Sequence, residues 1–283
     1  MATDAQVPAV PESVRVRVER LSRRYWRSSA AWGRRSPVQA VDDVSFEIPP
    51  GKTFALVGRS GSGKSTVARC VMRLETPDAG KIWIGDTDIA QLNSAALAPF
   101  RSRIQMVFQD PITAMNPRMS AAEIIEEPLL IQRCGNREER RNRVAQLLDA
   151  VHVPSAWMDR RAAEFSGGQQ QRLAIARALA LGPKLLVLDE ALSGLDLSTQ
   201  AQIANLLLEL QADLSLTYLL ISHDLELVAR MADEIAVMAA GKIAEHGTAE
   251  QVVSDPQHQE TRSLLGAARD IRASSSAARG ASA

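Results

Sequence analysis

The sequence has few cysteines, no excess of either charge and no long apolar run. Cys70 and Cys134 are the two cysteines among 283 residues. Their spacing fits neither a metal site nor a disulfide framework, so we expect a reducing, cytosolic compartment. Lys plus Arg and Asp plus Glu both total 33, so no net charge directs the chain to nucleic acid or to an anionic bilayer. No run of about 18 apolar residues occurs, and the N-terminus lacks the apolar segment of a secretory signal, so we expect no membrane span.

The composition is that of a globular protein with a sizeable core. Hydrophobic residues make up 46% of the chain, and its length suits one large α/β domain or two smaller lobes. We predict a domain over residues 13–265, with an inserted helical lobe over about 93–160. Residues 1–12 contain Pro and Ala, and residues 266–283 are largely Ala, Ser, Arg and Gly. Both ends are therefore predicted to be disordered.

The most specific pattern is Gly58-Arg-Ser-Gly-Ser-Gly-Lys-Ser-Thr66, which matches Gly-x-x-x-x-Gly-Lys-Ser. A short β-prone stretch precedes it and a helical pattern follows it, which is the context that a phosphate loop needs. Glycines let successive backbone N–H groups converge on phosphate oxygens, and the helix N-terminus adds unpaired donors. Lys64 would reach the outer phosphates and Ser65 would offer a hydroxyl to Mg²⁺. The alternative is a glycine-rich turn that caps a structural helix. The candidate nucleotide-binding residues of this loop are Gly58, Ser60, Gly61, Ser62, Gly63, Lys64, Ser65 and Thr66.

Ahead of this loop the sequence predicts an antiparallel β lobe. Residues 14–18 alternate apolar and basic side chains, a loop is predicted over 27–37, and a second strand over 40–48. Tyr25 stands next to Trp26 between these strands. It is either an ordinary strand-end aromatic or, beside a nucleotide loop, a stacking surface for the base.

Gln109 follows residues 104–108, which have the pattern of a buried strand. Ligands of a parallel sheet bind at the carboxyl ends of its strands, so this glutamine could ligate Mg²⁺ or orient water. A plain loop glutamine is the alternative. Residues 121–159 are helical in composition, and the charge run 137–143 is most simply a solvated helix face with pairs four residues apart.

A second candidate site is Ser166-Gly-Gly-Gln169, which leads into a strong helical pattern. A serine cap with flexible backbone ahead of a helix is again an anion receptor. Helix capping explains Ser166 and one glycine. It does not explain Gly167 and Gly168 followed by Gln169, because a second glycine costs order that capping alone does not need.

Two carboxylates, Asp189 and Glu190, follow an apolar run that predicts a central parallel strand. Adjacent carboxylates there would repel each other unless a cation is present, and Mg²⁺ bound with nucleotide supplies one. Asp189 would then hold the metal and Glu190 could polarise the attacking water as a general base. A strand-end acidic turn is the alternative. His223 also follows a buried strand and could reach the same phosphate edge.

With these motifs in this order, the chain resembles the nucleotide-binding subunit of ATP-binding cassette transporters over about residues 14–265. The family's order and separation hold for the phosphate loop, Gln109, Ser166-Gly-Gly-Gln169, Asp189-Glu190, Ser193-Gly-Leu-Asp196 and His223. The resemblance implies an α/β fold: a P-loop NTPase (RecA-like) core with a parallel sheet, an antiparallel β lobe and an inserted helical lobe.

The resemblance also implies a head-to-tail dimer that sandwiches two ATP molecules with Mg²⁺. The motif at Ser166 would face the phosphate loop of a second ATPase subunit, and Asp196 would lie at the subunit seam. Gln109 would sense Mg²⁺ and signal to the membrane subunits, and Tyr25 would stack on adenine. The implied partners are two transmembrane permease subunits and an extracytoplasmic substrate-binding protein, with no nucleic acid. The implied location is peripheral, on the cytoplasmic face of the inner membrane.

A narrower similarity is to the ATPases of oligopeptide, dipeptide and nickel importers. It rests on residues 109–117 and 197–202, on Asp255-Pro-Gln-His258, and on residues 261–265. Two departures stand out. Gln259-Glu260 replace the Pro-Tyr of many such subunits, and a Cys-bearing C-terminal region is not seen, so no iron–sulfur site is expected.

The sequence thus predicts an ATP-hydrolysing subunit that powers a membrane importer for peptides or a related small solute. The catalytic candidates are Glu190, His223 and Gln109. One alternative is a cassette ATPase acting on DNA or ribosomes, which usually carries two cassettes or a long coiled coil. Another is a P-loop kinase for a small molecule. A kinase has no use for the Ser166 motif, so replacing Ser166 separates these hypotheses.

Overall fold

The chain folds into two compact units. The strand-rich unit contains residues 15–92 and 219–266, and the helix-rich unit contains residues 13–14 and 93–218. The computed structural model describes residues 13–28, 35–110 and 115–266. The disorder predicted over 1–12 and 266–283 falls outside the described residues, except at residue 266, which is helical. The predicted domain and lobe boundaries stay predictions.

The described residues contain ten strands and eight α-helices with both ends defined. The strands are β1 Val16–Ser28, β2 Arg35–Ile48, β3 Thr53–Val57, β4 Ala79–Ile84, β5 Thr87–Asp88, β6 Ile104–Val107, β7 Leu185–Asp189, β8 Thr217–Ser222, β9 Glu234–Ala239 and β10 Lys242–Thr248. The helices are α1 Lys64–Val71, α2 Ser94–Arg103, α3 Ala121–Ile131, α4 Arg137–Ala150, α5 Gly167–Leu179, α6 Leu197–Leu214, α7 Leu225–Val228 and α8 Ala249–Ser254. Residues 259–266 are also helical.

The strand-rich unit begins with an antiparallel sheet in the order β2-β1-β4-β5. Its central strand β1 pairs on both sides, so that Val16 lies opposite Ile48 of β2 and Ile84 of β4. All three side chains are buried. Alternating burial along β1 follows from the period-two pattern of the sequence, since successive side chains point to opposite faces of a sheet.

Both strands of the first hairpin are longer than the sequence predicts. The predicted first strand, 14–18, continues to Ser28, and the second starts at Arg35 rather than Ala40. Tyr25 pairs with Val38 and Trp26 with Pro37, so the predicted loop over 27–37 is wrong at both of its ends. Pro37 suggested a loop, but β2 is an edge strand, where a residue without an N–H group is tolerated.

A second group of strands in this unit carries the phosphate-loop sequence. The fully buried strand β3 pairs in parallel with β9, with Val57 opposite Val237, and β9 forms an antiparallel hairpin with β10. Asp233, directly before β9, ties the start of β9 to the start of β3. Its carboxylate accepts hydrogen bonds from the Thr53 N–H group at 2.8 Å and from Lys52 Nζ at 2.9 Å.

The helix-rich unit combines a parallel strand pair with capped helices. Strands β6 and β7 pair in parallel, with Val107 opposite Leu188. Helices α3 and α4 each begin with a capping box, formed by Ser120 with Glu123 and by Asn136 with its third helical residue. Such reciprocal side-chain to backbone bonds satisfy two of the N–H groups that a helix start leaves unpaired.

The charge run on α4 is not wholly a solvated face. Arg140 forms an ion pair of 2.7 Å with Glu126 of α3, so its partner lies on a neighbouring helix rather than four residues away. Arg143 turns inward and donates to the Leu179 carbonyl at 3.3 Å, and desolvation lowers the pKa of its guanidinium. The run therefore also ties α4 to the helices beside it.

The predicted α/β class is confirmed, with parallel strand pairs, helices and a separate antiparallel β lobe. Within the ranges that the structure describes, no helix is both long and apolar enough to cross a bilayer. Gly58, Gln109, Glu190 and His223 each follow the end of a strand by one or two residues, so the fold places them in loops at strand carboxyl ends.

Candidate functional site

The predicted phosphate loop joins β3 directly to α1 in the strand-rich unit. Gly61 and Gly63 have φ angles of 79° and 109°, in the left-handed region that favours glycine. A Cβ atom on Gly63 would lie 2.3 Å from the Ala40 carbonyl oxygen, and one on Gly58 would lie 2.4 Å from that of Met238. The loop therefore follows a path close to neighbouring backbone that only glycine permits at these two positions.

Helix α1 begins without a side-chain cap. Gly63 is its N-cap residue, and no acidic residue lies in its first turn. Each of the other seven α-helices with both ends described has a side-chain acceptor at its start. The N-terminal N–H groups and the positive dipole end of α1 are thus presented beside the glycine loop, which is the arrangement that binds phosphate.

Lys64 lies against the backbone of this loop. Its side chain is buried, with 4% exposure, and its ammonium group donates to the Gly58 carbonyl at 2.7 Å and to the Arg59 carbonyl at 3.0 Å. These bonds hold the lysine charge at the loop itself. Ser65 and Thr66 follow in the first turn of α1, where a hydroxyl stands next to the same N–H groups.

Tyr25 approaches the phosphate-loop helix from strand β1. Its hydroxyl lies 3.5 Å from Thr66 Oγ1 and donates a short hydrogen bond to Glu75 Oε2. The ring is half-buried, whereas the neighbouring Trp26 is 64% exposed. Desolvation and the bond to Glu75 raise the pKa of the Tyr25 hydroxyl.

The phosphate loop is also tied to residues 255–266. Arg59, its second residue, forms an ion pair of 2.8 Å with Glu260 and donates to Ser263 Oγ at 2.6 Å. That segment is held in turn by Glu245 of β10, which accepts the Gln257 N–H at 2.8 Å and the His258 N–H at 2.9 Å. Glu260 is one of the two residues that depart from the importer pattern.

In the helix-rich unit, the Ser166 motif forms the start of α5. Ser166 Oγ accepts the Gln169 N–H at 3.4 Å, and Gln169 Oε1 accepts the Ser166 N–H at 2.9 Å, so the two form a capping box. A Cβ atom on Gly168 would lie 2.6 Å from Thr199 Cγ2, whereas one on Gly167 would meet nothing within 4 Å. Contacts among the residues that the structure describes therefore account for Ser166, Gly168 and Gln169, but not for Gly167.

The carboxylate pair ends strand β7 and opens a tight turn. Glu190 has a φ angle of 49°, in a region that residues other than glycine rarely adopt. The turn is closed by Ser193, whose N–H and Oγ both donate to the Glu190 carbonyl, at 2.9 and 2.7 Å. Strained backbone of this kind is held by its surroundings and is common at functional sites. Asp189, the last residue of β7, is half-buried.

Asp196 caps helix α6. One carboxylate oxygen accepts the Thr199 N–H at 3.0 Å and the other accepts Thr199 Oγ1 at 2.6 Å. The side-chain hydrogen bond, followed by the backbone one, lowers the pKa of Asp196. Thr199 therefore links Asp196 to Gly168, so the structure brings the family's aspartate and its glycine motif together on adjoining helices.

The remaining predicted residues lie in exposed loops. Gln109 is exposed two residues after β6, in the helix-rich unit, and His223 is exposed directly after β8, in the strand-rich unit. Asp224 follows His223 and caps α7 by accepting the Leu227 N–H at 3.0 Å. Both residues stand at strand carboxyl ends, as the sequence predicts.

Sequence reasoning missed three residues that hold this machinery in place. Glu75 collects the hydroxyl of Tyr25, Thr199 fills the space beside Gly168, and Arg59 binds the C-terminal helical segment. Arg59 stands at a variable position of the phosphate-loop pattern, Thr199 lies within residues 197–202, and Glu75 lies in no motif. The ion pair of Arg59 could have been suspected from the departure at Glu260, but the other two contacts join residues 50 and 31 positions apart and leave no local signal.

The buried strand, the glycine loop and the uncapped helix define an α/β protein with the P-loop NTPase fold. The chain belongs to the ABC transporter family, because the family model described as "ABC transporter" matches residues 41–193. The similarity to solved cassettes agrees. The chain superimposes with a TM-score of 0.72 and 28% identity on the dimeric cassette MJ0796 in a post-hydrolysis state with ADP and Pi, covering 83% of this chain and 98% of that one. CbiO1 of Clostridium perfringens, part of the ABC transporter complex CbiONQ, superimposes with a TM-score of 0.74 and 27% identity. The match covers 85% of this chain and 90% of CbiO1.

Curated relatives are ATP-binding proteins of peptide transport. The chain is 46% identical over 268 residues to the oligopeptide transport ATP-binding protein OppD of Mycobacterium tuberculosis, covering 94% of this chain. It spans only 44% of the length of that relative. The dipeptide transport ATP-binding protein DppF of Haemophilus influenzae is 44% identical over 230 residues, which cover 81% of this chain and 70% of DppF.

Proposed function

We propose that this chain is an ATP-hydrolysing subunit that powers a membrane importer of peptides or a related small solute. The observation that carries the proposal is the start of α1. This helix has no side-chain cap and follows a loop whose path at Gly58 and Gly63 admits no side chain, with Lys64 held against the loop backbone. A structural turn does not need an uncapped, lysine-bearing helix start, whereas a triphosphate does.

The loop residues fit a nucleoside triphosphate with Mg²⁺. Backbone N–H groups from Gly61 to Thr66 would bind phosphate oxygens and Lys64 would neutralise the outer phosphates. Ser65, Asp189 and Gln109 carry the hydroxyl, carboxylate and amide oxygens that Mg²⁺ prefers as ligands. When bound, Mg²⁺ offsets the charge of the phosphates during transfer.

Glu190 is proposed as the general base. It would accept a proton from water as the water oxygen attacks the γ-phosphorus, the bond to the bridging oxygen breaks, and ADP and inorganic phosphate form. The proton on Glu190 would then pass to solvent. The turn closed by Ser193 holds the Glu190 backbone in its unusual conformation, which limits the directions in which the carboxylate can point. His223 would contact the γ-phosphate.

The Ser166 motif is proposed to complete the site of a second copy or a related chain in a head-to-tail dimer. Gly167 supports this proposal, because its missing side chain has no explanation among the contacts of the described residues. Close approach of another backbone is a general reason for a glycine at such a position. Asp196 would lie at the seam of the dimer.

The names of the relatives support peptides as the transported solute, since OppD and DppF are oligopeptide and dipeptide transport proteins. The subunit would act at the cytoplasmic face of the inner membrane, bound to two transmembrane permease subunits. An extracytoplasmic binding protein would deliver the solute. Closure of the dimer around ATP would drive a conformational change in the permeases, and hydrolysis would return the transporter to its starting state.

The experiment compares the wild-type chain with Glu190→Gln and Ser193→Ala. We expect Glu190→Gln to bind ATP with unchanged affinity, measured by displacement of a fluorescent ATP analogue, and to release phosphate at least about a hundredfold more slowly. Ser193→Ala keeps the carboxylate and one of the two bonds to the Glu190 carbonyl, so we expect only a several-fold loss. Lys64→Ala should weaken analogue binding itself.

Two outcomes would contradict this proposal. Turnover of Glu190→Gln within about tenfold of wild type would remove Glu190 as the base. A rate of hydrolysis that stays strictly proportional to protein concentration down to dilute solution would argue against a shared site, since dimer formation makes the rate rise faster than linearly.

A further inference from the structure

Glu75 collects three side chains just beyond the end of α1. It accepts the Tyr25 hydroxyl at Oε2, Arg23 Nε lies 3.4 Å from the same oxygen, and Arg69 Nη1 lies 3.6 Å from Oε1. The Glu75 side chain is 20% exposed. The carboxylate is thus mostly shielded from water, and two guanidinium groups lie beside its oxygens.

The backbone of Glu75 is rigidly attached to α1. Its N–H donates to the Arg69 carbonyl at 3.2 Å, and its carbonyl accepts Arg73 Nη1 at 3.2 Å. Arg73 is buried and also donates to the Ile89 carbonyl at 2.8 Å. Because α1 begins at Lys64, Glu75 is connected to the phosphate loop through one short helix.

The Tyr25 hydroxyl therefore contacts residues near both ends of helix α1. Its hydroxyl contacts Glu75 after the end of α1 and lies 3.5 Å from Thr66 Oγ1 in the first turn. The Arg23 guanidinium lies 5.3 Å from the centre of the Tyr25 ring, and Asp78 Oδ1 binds that guanidinium at 3.1 Å. A ring that carries a cation on one face can accept a planar base only on the other face.

We propose that Glu75 is a positioning residue for the nucleotide base: by accepting the Tyr25 hydroxyl it sets the ring at a fixed place relative to the phosphate loop. The adenine and the triphosphate of one nucleotide can then be bound together without reordering the tyrosine. This inference rests on the proposed function and on the expectation, which the family resemblance implies, that Tyr25 stacks on adenine. It adds that the ring is aligned by a carboxylate carried on the phosphate-binding helix.

The test separates the base from the phosphates. Dissociation constants for MgATP and for magnesium tripolyphosphate, which has no base, are measured on the full chain by displacement of a fluorescent ATP analogue. Tyr25→Phe and Glu75→Leu should each weaken MgATP about three- to tenfold, the range of the net contribution of one ordinary hydrogen bond, and leave tripolyphosphate within about twofold. Glu75→Gln, which keeps an acceptor oxygen, should recover part of the affinity.

A double variant tests whether the two residues act through one another. Tyr25→Phe with Glu75→Leu should bind MgATP no more weakly than either single variant, because both changes remove the same hydrogen bond. Trp26→Ala serves as the control for an exposed neighbouring aromatic and should bind both ligands as wild type does. If Trp26→Ala, and not Tyr25→Ala, reduced the preference for MgATP, the base would stack on the tryptophan and the inference would be wrong.

Other results would overturn the inference in distinguishable ways. Equal weakening of MgATP and tripolyphosphate by Glu75→Leu and Tyr25→Phe would make the cluster a structural support of α1 only. If Tyr25→Ala weakened MgATP alone while Tyr25→Phe and Glu75→Leu bound as wild type, the ring would act without Glu75. If Tyr25→Ala changed nothing, the adenine role would fail together with this inference. The phosphate site would still stand provided that Lys64→Ala abolished tripolyphosphate binding.

Discussion

The two glycines of the Ser166 motif lend themselves to a matched pair of substitutions. Gly167 and Gly168 are adjacent in the first turn of α5, yet an added Cβ would meet nothing within 4 Å at Gly167 and would lie 2.6 Å from Thr199 Cγ2 at Gly168. Alanine at the two positions therefore probes different partners. At Gly168 the partner belongs to this chain. At Gly167, under our proposal, it belongs to a second subunit.

The expected effects on stability have opposite signs. Gly167→Ala should stabilise the isolated chain by up to about 1 kcal/mol, because alanine loses less backbone entropy in a helix. Gly168→Ala should destabilise it by about 1–3 kcal/mol through overpacking against Thr199. Thr199→Ser removes Cγ2 but keeps the hydroxyl that donates to Asp196, so the double variant Gly168→Ala/Thr199→Ser should recover most of the loss.

Thermal unfolding and ATP hydrolysis together decide the question. In a chain of this size, 1 kcal/mol corresponds to a shift in Tm of roughly 2–4 °C. We expect Gly167→Ala to keep or raise the Tm and to lose more than about tenfold in hydrolysis, which is about 1.4 kcal/mol in the activation barrier. A Gly167→Ala variant with wild-type stability and wild-type hydrolysis would refute the reasoning. A phosphate transfer to a small molecule that Gly167→Ala leaves unchanged would refute it too, and would favour the P-loop kinase.

Three further predictions concern the strand-rich unit. Burial raises the pKa of Cys70 to about 12, so about one thiol in ten thousand is ionised at pH 8, and a thiol reagent should label it only at the rate of unfolding. Arg59→Glu should raise the rate of hydrogen exchange of residues 259–266, because it breaks the ion pair with Glu260. The reversed pair, Arg59→Glu/Glu260→Arg, should slow the exchange again by a free energy of about 0.2–1 kcal/mol, the value of a surface ion pair. No recovery would show that the two residues are not coupled. Burial opposes ionisation of Glu245, but hydrogen bonds that include the Gln257 N–H lower its pKa below the ordinary value. Its stabilisation is therefore full above the ordinary pKa of about 4.3 and is lost as the pH falls through the lowered one, which Glu245→Gln should abolish in acid unfolding curves.

Local sequence signals were sufficient for the phosphate loop and for the cap of α5. The order of a buried strand, three glycines and a helical pattern predicted the β3-loop-α1 unit, and the structure adds that Gly58 and Gly63 are needed because backbone carbonyls lie close by. Likewise, Ser166, predicted as a serine cap, is found as the N-cap of α5, since capping depends on residues within three positions of each other.

The first hairpin and the Ser166 motif show where local signals fall short. Strand β1 continues past Arg27 because it pairs with an edge strand that tolerates Pro37, and the pairing is a tertiary property. The requirement for Gly168 was attributed to ligand binding, but the structure provides an internal reason in Thr199. That contact joins two helices separated by the whole of strand β7, so no pattern within the motif could indicate it.

The two predicted anion receptors, at the starts of α1 and α5, differ in how the helix is capped. Helix α1 has no side-chain cap, whereas α5 has its cap in place, with Ser166 Oγ accepting the Gln169 N–H. The cap does not prevent Ser166 from binding a phosphate, because a hydroxyl has one donor besides its two acceptor lone pairs, and the N–H bond uses only an acceptor. The same serine can therefore order α5 in the isolated chain and donate its proton to a phosphate oxygen of a neighbour. This explains how a motif that looks complete within one molecule can still be half of a shared site.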